Sequence, residues 1–156
     1  MHAEATTPPR IGFLAALLRG VIAALLGLIA GAALNMGILY AGMAVFPAPE
    51  GVDISRIETI NENIHRYSVG QLLVPFLAHA LGTLAGAFVA ASVAATPHSR
   101  RRAALLIGFF FLLGGIDMVV KIPNAPLWFD VLDLGVAYIP MALLGWRLAV
   151  RGKGRA

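Results

Sequence analysis

The chain has 156 residues, of which 59% are hydrophobic and only 13% charged, against roughly 45–50% and about 25% in ordinary soluble domains. That balance excludes a disordered chain, which needs high charge and few apolar residues. It also leaves too little polar surface for a soluble globule. With no cysteine, disulfides, thiolate metal sites and cysteine nucleophiles are excluded as well.

A bilayer core of about 30 Å needs about 20 apolar residues in a helix. Four segments meet that length, predicting an all-α membrane protein with a single transmembrane domain over 1–156. The expected spans are about 11–46, 70–95, 103–121 and 128–150, with an outer loop at 47–69. The first span is most apolar from Val21 to Phe46 and has an earlier possible start near Ile11. Arg10 and Arg19 ahead of Ala30-Gly31-Ala32 resemble a cleaved leader. The apolar run is far longer than a leader's core, however, so this segment is expected to be retained.

Pro47 and Pro49 stop the first helix. In the loop that follows, Asp53 or Ser55 can cap a short helix, and Ser55 with Glu58 fits a capping box. Ile57, Ile60, Ile64 and Tyr67 follow a helical period, so this helix is expected to be amphipathic and to lie on the outer surface or lid the bundle. Pro97 bounds the second span, and Pro123 with Pro126 the third. Pro75 and Pro140 lie inside the second and fourth spans, which gives the two halves a faint resemblance to each other.

Charge sets the expected orientation. Arg10, Arg19, Arg100, Arg101, Arg102, Arg147, Arg151, Lys153 and Arg155 fall on one side; Arg56, Arg66 and Lys121 fall on the other. Glu50, Asp53, Glu58, Glu62, Asp117, Asp130 and Asp133 lie toward that second side. Both termini should therefore be cytoplasmic. The arginine triplet and the basic tail suit anionic lipid headgroups, and nucleic acid is not implied.

Polar side chains within spans are functional-site candidates by default. Asn35 lies mid-span in the first helix, and His79 and Tyr138 are at a similar depth in the second and fourth. Asp117 and Asp133 lie about one turn inside the outer ends of the third and fourth spans, and Gln71 starts the second. These six form a funnel, wide outside and ending at mid-membrane. Gln71, Pro75 and His79 recur every four residues, with Gly82 and Gly86 continuing the stripe. Gly27, Gly31 and Asn35 do the same in the first span. Such spacing lets helix backbones approach closely, so Asn35 and His79 are expected on packing faces, where they could meet.

Each candidate also has a structural reading. Asn35 serves equally as interhelical glue, and His79 as a neutral, fully bonded imidazole. Asp117 fits an ion pair with Lys121 at i,i+4. Asp130 suits the positive end of the fourth helix. A metal site built on His79 with Asp117, Asp133 and Asn35 lacks a ligand motif, so metal and cofactor stay open. Glu58, Glu62 and His65 share a helical face, but a solvated face with a Glu62–Arg66 pair explains them. Nucleophile-elbow, zincin, P-loop and dinucleotide motifs are absent.

Two stretches carry a resemblance: Ala78-His79-Ala80-Leu81-Gly82-Thr83-Leu84-Ala85-Gly86-Ala87, and the run from Leu113-Gly114-Gly115-Ile116 through Pro126-Leu127-Trp128-Phe129 to Ala137-Tyr138-Ile139-Pro140-Met141. They are similar to an uncharacterised group of small bacterial four-helix integral membrane proteins. The resemblance implies a bacterial cytoplasmic membrane and no particular activity. The residues favour a protein that binds a small polar solute or cation at an outward-open polar site, with conduction through a homo-oligomer as the extension of that reading. The alternatives are a non-catalytic subunit docking a membrane partner through its glycine stripes, and a lipid-active acid–base enzyme using His79.

Overall fold

A computed structural model describes residues 10–151. The basic tail at Lys153 and Arg155 lies outside them. Four helical segments are long and apolar enough to cross a membrane, and no strand occurs among the described residues. In chain order the elements are α1 (Arg10–Val45), α2 (Ile57–Asn63), a 3-10 turn (Ile64–Arg66), α3 (Val69–Val93), α4 (Pro97–Lys121), α5 (Leu127–Val136) and α6 (Ile139–Arg151). The long helices run up and down in turn. All the loop acids therefore gather at one end with α2, and the α3–α4 turn lies at the other.

The helix boundaries follow local chemistry. Ser68 starts α3 with a capping box: its Oγ accepts the Gln71 N–H at 3.3 Å, and Gln71 Oε1 accepts the Ser68 N–H at 2.7 Å. Thr96 and Ser99 form the same device ahead of α4, with Pro97 at the first helical position, where its missing N–H costs nothing. α4 therefore begins at Pro97, earlier than the expected 103, because the arginine triplet rides within its first turns. The fourth span is not one helix. It breaks at Ala137–Tyr138, where Pro140 has no N–H to offer the carbonyl of Val136.

Two expectations for the loop are corrected. Ser55 does not box Glu58. Its N–H and hydroxyl both donate to Asp53 Oδ1, at 3.0 and 2.7 Å, forming a local turn, and α2 starts at Ile57 with Arg56 at its N-cap and no side-chain cap bond. Arg66 does not pair with Glu62. It donates to Asn63 Oδ1 and to the Glu50 carbonyl, both at 2.9 Å, which ties the loop to itself.

Helix α3 is the central post and touches α1, α4, α5 and α6. Its glycines decide how closely α1 comes. A Cβ placed on Gly27 would stand 2.7 Å from the Gly86 carbonyl oxygen, and one on Gly31 would stand 2.8 Å from that of Gly82. The two stripes mate with each other inside this chain. Ala87, Ala90, Ala91, Ala104 and Ala142, all fully buried, continue the close packing around Ile107.

Candidate functional site

Beyond Ala78, toward the loop end, the bundle opens. Met36, Tyr40 and Met43 lie on the cavity side of α1 while Gly42 stays packed on Val74 of α3, and Leu72 is the one buried residue of α3 before Ala78. A cavity of about 540 Å³ fills this space, within the range of small-molecule sites. Met36, Tyr40 and Met43 line it from α1, Phe46 from just beyond that helix, Met118 and Val119 from α4, and Phe129 from α5. The loop roofs it with Ile54, Ile60, Ile64 and Tyr67. The roof is fastened at two points: Gln71 Nε2 donates to the Pro47 carbonyl, and Asn61 and Asn124 share two hydrogen bonds of 3.0 and 3.3 Å.

His79 lies ten residues into α3, about 15 Å along the helix from its start, and lines the cavity's inner end with Asp133. His79 Nδ1 is 2.8 Å from Asp133 Oδ1 and 3.0 Å from the Tyr138 hydroxyl, which itself donates to Asp133 Oδ2 at 2.7 Å. One assignment accounts for the three contacts: the Asp133 carboxylate accepts the imidazole Nδ1–H at Oδ1 and the phenol at Oδ2, and the phenol oxygen shares that Nδ1–H as its longer second acceptor. Asp133 and Tyr138 are 4% and 2% exposed, so this carboxylate has its bonds made inside the protein. The helix break at Ala137–Tyr138 turns the phenol back onto Asp133. Gly115 makes room for it: a Cβ there would occupy the Tyr138 ring.

The arrangement fixes the imidazole through Nδ1 and leaves Nε2 without a hydrogen-bond partner among the described residues. A ring held this way can accept a hydrogen bond or exchange a proton through its other nitrogen. The Tyr67 hydroxyl, in the roof, is buried and has no hydrogen-bond partner either. Burial pushes that phenol above its ordinary range.

Of the six expected polar residues, the structure brings His79, Asp133 and Tyr138 into one cluster. Gln71 lines the same cavity but spends its amide on the α3 cap and Pro47. Asp117 is exposed, 2.6 Å from Lys121 Nζ, and does not line the cavity. Asn35 makes no hydrogen bond with His79. It follows the Gly27–Gly31 stripe and packs on Gly82, where a Cβ would come within 3.0 Å of its own.

Sequence reasoning did not single out Tyr40, Phe46, Met36, Met43 and Met118 as lining residues, because apolar positions in a span carry no sign of what they face. Asp130 stands in the first turn of α5, as expected, and also lines the cavity one turn from Asp133, which sequence reasoning did not anticipate. No group of three or more His, Cys, Asp or Glu residues able to hold a metal occurs among the described residues. Comparison with protein-family models, with curated proteins and with solved structures found no match.

Proposed function

We propose that the protein is a multi-pass protein of the bacterial cytoplasmic membrane, with both termini cytoplasmic, that binds a small organic cation with an apolar body. The uneven distribution of lysine and arginine supports the orientation. It makes the cavity end outer and α2 the amphipathic helix covering it. The observation that carries the function is the cavity's mixture of groups. Asp130 and Asp133 line it, no lysine or arginine does, and nearly everything else is apolar. A hydrophilic solute would forfeit its hydration against such walls. A cation with an apolar body would bury its body there and meet carboxylates where no fixed positive charge opposes it.

Tyr40, Phe46, Tyr67 and Phe129 offer ring faces that attract cations by about 0.5–2 kcal/mol each. Met36, Met43 and Met118 adapt to irregular shapes. The lining comes from a single chain, so this reading needs no homo-oligomer. The glycine stripes are used internally, which removes the main argument for docking a partner through them.

The test is calorimetric binding of tetraphenylphosphonium to the full chain in nanodiscs, beside the isosteric anion tetraphenylborate. The cation should bind and the anion should not. Asp133→Asn should weaken the cation by about tenfold or more, the scale of one charge-assisted contact. Equal binding of both ions, or an Asp133→Asn variant that binds as well as the parent, would sink the reading.

A further inference from the structure

The end of the bundle away from the cavity is built differently. Arg19, Arg100, Arg101, Arg102, Arg147 and Arg151 gather there, and no acidic residue does among the described residues. Two of these arginines are held in place. Arg19 reaches from α1 and donates Nε to the Val93 carbonyl at 2.9 Å. Arg100 reaches back from α4 and donates Nε to the Ala94 carbonyl at 3.3 Å. Those carbonyls belong to consecutive residues, the last of α3 and its cap, which carry the negative end of the helix dipole.

Each guanidinium spends its Nε on the backbone, and its two Nη groups have no partner among the described residues. Both guanidiniums are thus anchored on the backbone of neighbouring residues, each with its two Nη groups left for an anion. Their planar forks match a phosphate, which accepts paired N–H bonds.

We propose that Arg19 and Arg100 form a clamp for the phosphate of an anionic phospholipid. The chemistry recognised is a phosphate ester, and its surroundings assign it to a lipid. The clamp stands at the ends of membrane-length helices, at headgroup level. Ile22, Leu26 and Ile29 lie on the same side of α1 as Arg19, toward the bilayer, and are 42%, 44% and 65% exposed. They give the acyl chains an apolar track that starts at the clamp. Arg101 is occupied elsewhere, over the Trp146 ring at 5.6 Å.

Native mass spectrometry and thermal unfolding of the full chain in non-ionic detergent test this, with phosphatidylglycerol, phosphatidylcholine or glycerol phosphate added. Phosphatidylglycerol should stay bound one-to-one and raise the unfolding temperature, while the other two do neither. Arg19→Gln with Arg100→Gln should weaken phosphatidylglycerol by about tenfold or more, and Arg102→Gln should leave it within about twofold. Arg19→Lys with Arg100→Lys keeps the charge but loses the forks, and should weaken binding even where the glutamine pair fails to fold. Equal retention of phosphatidylcholine, equal binding of glycerol phosphate, equal loss in Arg102→Gln, or full binding by the lysine pair would each overturn the clamp.

Discussion

The two halves of the bundle are made from the same helices and behave oppositely. In the half near the α3–α4 turn, glycine meets glycine and alanine meets alanine, so backbones touch and no room remains. In the loop half, Met36, Tyr40 and Met43 of α1 and Phe46 just after it line a space with Pro75 and α5, and about 540 Å³ stays open beside the Gly42–Val74 contact. The void opens beside the α1–α3 contact, where large side chains from α1, α4, α5 and the loop meet without filling the space. The His79–Asp133–Tyr138 cluster sits at the junction, where the tight half fixes the backbone and the open half gives access. Rigid support beneath a polar group is what keeps its geometry productive.

The hardest way to break this contrast is to fill the tight half. A Cβ on Gly86 would lie 2.6 Å from the Gly27 carbonyl, so Gly86→Leu must push α1 away along its length. The expected loss is about 3 kcal/mol, at the upper end for overpacking. Reversible unfolding in mixed detergent micelles would measure it. Gly114→Ala is the control. Nothing lies within 4 Å of its added methyl, and removing a helical glycine should leave stability unchanged or raise it by under about 1 kcal/mol. Equal losses at the two positions would mean that the glycine contacts do not set the packing.

A smaller effect is expected at the junction. Tyr138→Phe keeps the ring that fills the space beside Gly115 and removes the bond to Asp133 Oδ2. A buried carboxylate oxygen left without its donor costs about 1–3 kcal/mol. The bundle should remain folded, and His79 should lose its fixed orientation. Nitrogen-15 shifts of the imidazole report the tautomer, and in the parent they should show Nδ1 protonated in the neutral ring. A variant with unchanged ring shifts would show that Tyr138 does not position the pair.

Much of this was legible in the sequence, and the reason for each gap is physical. Span length is a property of one segment, so the four crossings could be read without knowing what each helix touches. The Thr96, Pro97 and Ser99 signal for an earlier α4 is present in the sequence, but the expected span counted only the apolar run after the arginines. Depth could be computed from residue rise, and it correctly grouped His79 with Tyr138. It also wrongly grouped Asn35 with them. Depth is one coordinate, and the direction a side chain takes around the axis is another. Three residues separate His79 from Gly82, so His79 points about 60° away from the line that Gly82 presents to α1. Asn35, four residues after Gly31, stays on the contact face. The cavity itself could not be read, because a void is a relation among helices.

Asp117 sharpens the same lesson about charges. It shares the loop half of the bundle with Asp130 and Asp133, yet it is exposed and paired with Lys121. An exposed i,i+4 pair contributes about 0.3–0.5 kcal/mol. Asp117→Asn should therefore change stability by no more than that, and should leave tetraphenylphosphonium affinity within about twofold. A loss as large as that of Asp133→Asn would extend the cation site beyond the cavity.

The smallest expected effect lies in the roof. Asp53 accepts the hydroxyl and the N–H of Ser55, and these two bonds hold its carboxyl below the ordinary aspartate value of 3.8. Its ionised form is the one that builds the turn. The contribution is therefore complete above that ordinary value and fades as pH falls through the lowered one. Because the group is fully exposed, only the turn should respond, while the helices and the His79 cluster stay as they are. Carbon-13 titration of the Asp53 carboxyl should give a midpoint below 3.8, with the Ser55 amide shift moving in step. Asp53→Asn should abolish that amide titration, and Ser55→Ala should raise the Asp53 midpoint toward 3.8. A midpoint at or above 3.8 in the parent would mean that the turn does not form. The roof over the cavity would then hang from Gln71, Arg66 and the Asn61–Asn124 pair alone.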